Sequence, residues 1–558
     1  MRNRTSSRPL LFLSLHFLSG AAAAAATIEG TIRAGSKGVV AGALVTLTSK
    51  DGLFAETVYS DASGAFRLAT EQKGFVTLRV RRPHFADAVH DLEITAGRAL
   101  RQDSSLRPLH SDREISDQLT ASAHYARLRF DDRKELGFFQ IECLTCHQLG
   151  NAYTRAPRTA DRWHAIVTRM LGFYGITDAQ RIGRYAKTLE QAFDGAPLTV
   201  RQEQPIDAAL FGARITQWKL PGAVIAHDVE YHAADGKFYT VDQGKDLIYI
   251  TDPRSNETET FTIPDGGIPV GGKFLRVFNN PNPFSLAVSR GPHSLQEGPD
   301  GKFYTTDTVS GQIGVFDPVT RTYTGHDIGG KAMYPHTIRF DKKGMAWFTL
   351  GVSNQVGRFN PSTREMTLID LPATSDRPEI PAYLAYGIDI HPRDGSVWFT
   401  RLMANRIGRV DPETLQVKEF QPPVIGPRRM RFAADGTLWI PSFGTGELVA
   451  LDTASMKYHN YRIPPLSDGE VEAPYAVGIH PRTQEVWITA NMSDRMFRFN
   501  PRTERFISYP LPTRGIFLRD VIFLPDGRVC AASSTAVAPL AVEGGMEEII
   551  CIDPGGGA

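Results

Sequence analysis

The chain has 558 residues, room for two to four domains, and a formal net charge of +1 from nearly equal numbers of acidic and basic side chains. That balance leaves no basic footprint for nucleic acid or for an anionic membrane surface. Fifty glycines, thirty-six prolines and many short β-rich runs point to a mainly β protein with many turns.

At the N-terminus, Arg2, Arg4 and Arg8 flank the start of an apolar run from Leu10 to Leu18, and Ala21 to Ala26 offer small residues for cleavage. The run is too short to span a bilayer, so residues 1–26 read as a secretory signal. No later stretch is long and apolar enough to be a membrane span. The mature protein is therefore expected to be periplasmic or secreted.

Residues 27–108 alternate with period two over 28–32, 42–48, 57–68 and 76–80, separated by Gly, Asp and Ser turns, which predicts a small β-sandwich. Asp61, Gly64 and Phe66 form an Asp-x-x-Gly-x-Phe hairpin. With it the stretch resembles the carboxypeptidase regulatory-like domain, which implies an accessory sandwich without catalytic residues. His84 and His90 are isolated and read as surface residues.

From Ser111 the pattern turns helical, and residues 109–200 contain Cys143-Leu144-Thr145-Cys146-His147. Two thiols at this spacing can add across the two vinyl groups of one haem, and the following histidine can give its imidazole to the iron. A redox CxxC beside a chance histidine, or half a zinc site, are the other readings. Zinc wants a second Cys or His pair nearby, and Cys530 and Cys551 are far along the chain. Covalent haem c requires export, which the N-terminus provides for. Residues 136–142 are expected to form the helix leading into the motif. Trp163, Ile166, Val167 and Met170 fall on one helical face, and Thr177 to Gln180 read as a capping box for a closing helix carrying Ile182, Tyr185, Ala186, Leu189 and Phe193. Met170 is the candidate sixth iron ligand, with His164 its competitor. The order of motif, Trp-x-x-x-Val-x-Arg-Met and closing helix resembles small c-type cytochrome domains of quinohaemoprotein amine dehydrogenases, which implies a small α-helical haem module.

Residues 201–558 repeat seven times. A turn recurs at Asp252, Asp317, Asn360, Asp411, Asp452, Asn500 and Asp553, preceded each time by an aromatic-rich strand such as Trp398-Phe399-Thr400 and a pair such as Ile407-Gly408-Arg409. Four short strands per repeat predict a seven-bladed β-propeller. The last repeat lacks its outer strand, and 215–221 can supply it, closing the ring without open edges. Cys530 and Cys551 then fall on neighbouring strands, where an exported protein can bond them. The words Pro-His-Ser/Thr, Trp-Phe-Thr and Ile-Gly-Arg resemble the streptogramin B (virginiamycin B) lyase family of seven-bladed propellers.

Aligned innermost strands place His227, His293, His336, Tyr386, Arg428, Tyr475 and Arg519 at the channel mouth. Asp242, Asp307, Leu350, Arg401, Ser442, Ala490 and Ser533 come next. Converging imidazoles and carboxylates can hold a divalent metal or transfer protons. The lyase resemblance implies that His227 binds substrate and His293 is the general base, with His336 on the following blade. It also implies magnesium held by two glutamates, of which Asp307 replaces one, while Gly291 stands where the other is needed.

Three functions are therefore in play. The first is an exported c-type haem protein working in electron transfer or oxidation, with an unidentified redox partner and a small substrate or partner in the channel. The second is a lyase-like carbon–oxygen lyase acting on a cyclic peptide or ester, with His293 abstracting a proton and the haem module incidental. The third is a non-catalytic binding protein.

Overall fold

A computed structural model of the chain describes residues 25–555 apart from 36–37, 274–286, 378, 381–382 and 536–540. The expected leader lies almost wholly outside the described residues. The chain is mainly β, with a β-rich N-terminal region, a short helical segment and a propeller-like C-terminal ring.

The N-terminal strands are β1 (Ala26–Ala34), β2 (Leu44–Ser49), β3 (Phe54–Tyr59), β4 (Ala65–Thr70), β5 (Gly74–Arg81), β6 (Ala88–Ile94), β7 (Ala99–Arg101) and β8 (Ser104–Leu106). β1 pairs with β4, β7 and β8, and the order β3-β2-β5-β6 makes the facing sheet. Alternate residues Ile28, Ile32, Val45, Leu47, Phe66, Leu68, Leu78 and Val80 fill the core between them, as period-two patterning requires. The Asp-x-x-Gly-x-Phe hairpin has a local cause. The Asp61 carboxylate accepts the Ser63 and Ala65 N–H groups. Gly64 sits at φ +76, where a Cβ would lie 2.7 Å from the Ile32 carbonyl oxygen.

Helices follow as α1 (Asp112–Gln118), α2 (Ala121–Tyr125), α3 (Arg133–Cys143), α4 (Ala160–Gly172) and α5 (Ala179–Ala192). The expected capping box at Thr177 is corrected: Asp178 is the cap, its carboxylate accepting the Gln180 and Arg181 N–H groups. α4 buries Trp163, Val167 and Leu171, whereas Ile166 and Met170 are only half-buried at the edge of that face. Among the described residues, no helix is long and apolar enough to cross a membrane.

Six four-stranded antiparallel sheets occupy 226–262, 292–327, 335–370, 385–420, 431–462 and 474–510. A seventh has the strands Ile522–Phe523, Val529–Ser533 and Glu548–Asp553, completed by β9 (Arg214–Lys219). Inner strands pack against those of the neighbouring sheets, and the first sheet contacts the seventh, so the array closes on itself. The repeated words explain the geometry. A Cβ at Gly357 or Gly408 would lie 2.1 Å from the ring of Phe348 or Phe399, so the Ile-Gly-Arg glycine leaves room for the Trp-Phe-Thr phenylalanine. In four of the seven sheets the threonine at the third position of that word then ties the blade to the next: Thr306, Thr349, Thr400 and Thr489 donate to the carbonyls of His336, Tyr386, Arg428 and Arg519 at 2.6–2.9 Å. In the closing sheet Cys530 and Cys551 are directly opposed and disulfide-bonded.

One expectation about closure is corrected. β9 does complete the seventh sheet, but its far edge is not free, because β3 pairs with it from Phe54↔Trp218 to Val58↔Arg214. One eight-stranded sheet therefore runs from the N-terminal sandwich into the ring. Arg81 pins the same junction, donating to Asp87, Glu543 and the Pro512 carbonyl. Burial opposes ionisation of Glu543, but hydrogen bonding and charge from Arg81, helped by Arg79, outweigh it and hold the carboxyl at about 2. Its folded value lies below the ordinary 4.5, so this contribution is present above about pH 4.5 and lost as pH falls toward 2. Glu543→Gln should lower stability at neutral pH by about 1 kcal/mol, since the carboxylate is one-third exposed. Thermal unfolding of the variant should then depend less on pH between 2 and 4.5 than that of the parent.

Candidate functional site

The channel residues converge as the aligned repeats predict. Each is presented where an inner strand begins, and all seven are almost fully buried. The imidazoles of His227 and His293 have centroids 3.6 Å apart, those of His293 and His336 4.2 Å, and the His336 ring lies 3.9 Å from Tyr386. The Tyr386 hydroxyl donates to Tyr475 at 3.0 Å, and the Tyr475 hydroxyl faces His227 Nε2 at 3.4 Å. The Arg428 guanidinium packs over Tyr386, Phe443 and Tyr475, and that of Arg519 over Tyr475 and Phe517. Burial drives all three histidines well below their ordinary range, helped by neighbouring guanidiniums. They are therefore neutral at physiological pH.

The next shell turns away from this ring. Asp242 accepts the N–H groups of Val224, Ile225 and Gly244. Asp307 accepts from Tyr323 and Thr305, with Arg290 3.5 Å away. Burial raises the Asp307 carboxyl to about 6 despite these partners. Both carboxylates are thus engaged within their own blades. At Gly291, φ is +66 and a Cβ would lie 2.7 Å from Val309 Cγ2, so the glutamate that a magnesium site would need there is strained in this backbone. Among the described residues, no group of three or more His, Cys, Asp or Glu side chains is arranged to hold a metal ion.

A layer that sequence reasoning missed lies one residue deeper. Asp228 accepts both His227 Nδ1–H and a two-point contact from Arg429 at 2.7 and 2.8 Å. Asp520 collects Arg339, Arg429 and Arg431. The signal was present in the doublets His227-Asp228, Arg428-Arg429 and Arg519-Asp520, whose second members occupy one position of the aligned inner strands.

The helical segment sits on the ring and covers its mouth. One continuous core joins Phe139, Ile141, Leu144 and Trp163 to Leu402, Phe443, Tyr475, Met492 and Phe517. The Gln140 amide donates to the Phe443 and Glu472 carbonyls, and the Gln148 amide to Asp494 and the Ile516 carbonyl. Buried Glu142 pairs with Arg377. Above the channel, Arg428 donates to the Thr145 carbonyl at 3.4 Å and Arg519 to that of Cys146 at 3.3 Å. The CxxCH segment is thus the lid of the histidine–tyrosine ring.

Three of the four residues expected to hold haem line one cavity of about 150 Å³: Cys143, His147 and Met170, with Trp163, Arg158, Arg162 and Arg169. Cys146 lies on the lid beside Arg519. His164 is exposed and does not line the cavity. His147 Nδ1 bonds the Gln148 carbonyl at 2.8 Å, which leaves Nε2 as the lone-pair nitrogen that a metal ligand presents. Burial holds this imidazole below its ordinary range and both thiols above theirs. Trp163 Nε1 is buried without a partner. The chemistry of the donors in the cavity is that a haem would use: one thiol, an oriented imidazole and a thioether, with a spare indole N–H and three guanidiniums that would face its propionates, and the second thiol three residues along on the lid. A separate cavity of about 960 Å³ lies beside Ala208, Trp439 and Arg498 and shares no residue with either group.

A propeller-like ring joined to an accessory β-sandwich is the class this geometry defines. Comparison with known proteins gives the same two parts. The model of the virginiamycin B lyase family matches residues 282–469, and that of the carboxypeptidase regulatory-like domain residues 27–107. Similar solved structures include virginiamycin B lyase from Staphylococcus aureus at 16% identity, covering 61% of this chain and 99% of that one with TM-score 0.48. A streptogramin B lyase matches at 18% identity, covering 62% and 99% with TM-score 0.49. No curated protein matches this chain.

Proposed function

We propose that the chain is an exported c-type haem protein that transfers electrons, its haem seated over the mouth of the propeller-like ring. The observation carrying this reading is the convergence of Cys143, His147 and Met170 on one cavity with an unpartnered indole N–H and three arginines. Cys143 and Cys146 would anchor the porphyrin, His147 Nε2 would be the proximal ligand and Met170 the sixth. When bound, haem supplies a one-electron iron couple. In the cavity that would hold it, the buried side chains of Leu149, Val167 and Leu189 exclude water. Trp163 and the arginines would meet its acidic edge, and the Gln148 carbonyl fixes the histidine tautomer.

The test is a visible spectrum of protein made in a host competent for cytochrome c maturation, with a pyridine haemochrome. An α-band that survives acid-acetone extraction is expected, and a colourless protein from that host would end this reading. Met170→Ala should remove the band attributed to methionine coordination.

The family match over 282–469 and the placing of His227 and His293 favour a second reading, a lyase-like enzyme acting on a cyclic ester through those histidines. Strain at Gly291, the engaged carboxylate of Asp307 and the lid over the ring weigh against it. Magnesium-dependent opening of a streptogramin B ring, lost in His293→Ala, would establish it.

A further inference from the structure

The sandwich, the helical segment and the ring meet around a cavity of about 310 Å³. Arg81 lines it from the sandwich, Gln118 and Gln148 from the helical segment, and Asp494, Arg514 and Glu543 from the ring. It reaches solvent beside the Asp117 side chain, 54% exposed, and Tyr153, 45% exposed. It lies apart from the histidine–tyrosine ring and shares only Tyr153 with the cavity beside Cys143.

Some charges on its wall are already matched: Arg81 pairs with Asp87 and Glu543, and Arg155 with Asp117. Others are left open. Among the described residues the Arg514 side chain makes no hydrogen bond or ion pair, and Asp87, Glu543 and Asp494 act on it only as charges at longer range. Asp494 Oδ1 accepts the Gln148 amide and the Gly515 and Ile516 N–H groups, whereas no donor reaches Oδ2 among the described residues. Gln118 Oε1, Gln148 Oε1 and Gln204 Nε2 are buried without a partner, and Gln148 is fully buried. The Gln148 amide has one orientation, because its Nε2 donates both to Asp494 and to the Ile516 carbonyl. Its oxygen is therefore the atom left over.

Buried polar groups without partners are costly, and several around one cavity call for a polar occupant. A guanidinium and a carboxylate that line the cavity without pairing leave room for a molecule carrying the opposite charges. Apolar surface is present as well, since Leu44, Leu119, Leu511 and Val542 are buried at the same wall.

We propose that this joint binds a free amino acid with an apolar side chain. Its carboxylate takes Arg514, and its ammonium takes Asp494 Oδ2 with the amide oxygens of Gln148 and Gln118. Its side chain rests on the leucines and Val542. A carboxylic acid alone leaves Asp494 and the amide oxygens without donors, and an amine alone leaves Arg514 without an acceptor. The volume is at the small end of ligand pockets, which suits an amino acid better than a peptide. This reading does not depend on haem. Because all three parts contribute, occupancy favours their closed arrangement.

The test is isothermal titration calorimetry on the purified full chain, with L-alanine, L-valine and L-leucine as probes and thermal unfolding alongside. At least one should bind at millimolar concentration or below and raise the unfolding midpoint. The N-acetyl form of the strongest binder lacks the ammonium and its amide lacks the carboxylate, so each should bind about tenfold more weakly or worse. Arg514→Gln should weaken the amino acid to a similar degree. So should Asp494→Asn, which keeps the Oδ1 acceptor and removes the charge. If a variant does not fold, the three ligand forms on the parent decide by themselves. No heat and no change of midpoint with any of the three amino acids would show that the joint holds ordered water only, and would overturn the proposal. Equal affinity for the amino acid, its amide and its N-acetyl form would overturn it too, as would undiminished binding in both folded variants.

Discussion

On the proposed haem attachment, replacing Cys143 and Cys146 together by alanine should abolish covalent haem while leaving the β ring folded. Cys143 is the last residue of α3 and Cys146 lies on the lid; each loses only a sulfur, whereas Leu144 between them stays in the core. Burial, with a smaller contribution from Glu142, raises the Cys143 thiol. Burial also raises Cys146, partly offset by Arg519 and Arg428. In the packed module neither thiol is the reactive thiolate, so attachment is expected to precede closure of the module on the ring. The measurement is haem stain on a denaturing gel, with far-ultraviolet circular dichroism as the folding control. Acid-resistant haem in the double variant would place the attachment elsewhere.

The second large effect is expected at Glu142. Its carboxylate is fully buried, paired with Arg377, which is 2% exposed, and approached by Arg181 at 3.4 Å. Arg377 also stacks on Phe138 of α3, so the pair fastens the helical segment to the ring. Glu142→Ala leaves the buried Arg377 guanidinium with only the half-exposed Glu379 at 3.7 Å as counter-charge and should cost about 3 kcal/mol. Replacing both partners, Glu142→Met with Arg377→Met, should cost much less, because the penalty comes from the stranded charge rather than from the absence of the pair. Denaturant unfolding followed by Trp163 and the other tryptophans would measure both. A loss below about 1 kcal/mol in Glu142→Ala would show that the segment is held by its apolar core alone.

What was legible in the sequence was whatever repeats or is local. Seven turn words and their aligned aromatic strands fixed the number of sheets and which residues meet at the axis, because a strand's period of two and a blade's fixed length leave each side chain one direction to point. The Asp61–Gly64 hairpin and the helix around Trp163 are likewise set by short-range hydrogen bonding and apolar spacing. The opposed cysteines of the closing sheet followed from that same register.

Tertiary structure alone decided the relations between parts. Nothing local says that β3 continues the closing sheet through β9, since a free strand edge accepts any partner with matching spacing. The seating of the CxxCH segment on Arg428 and Arg519 joins residues far apart in sequence through backbone carbonyls, which carry no sequence signal. The same holds for charge. Asp228, Arg429 and Asp520 are ordinary surface residue types until burial removes water, and only then does their pairing with one another matter.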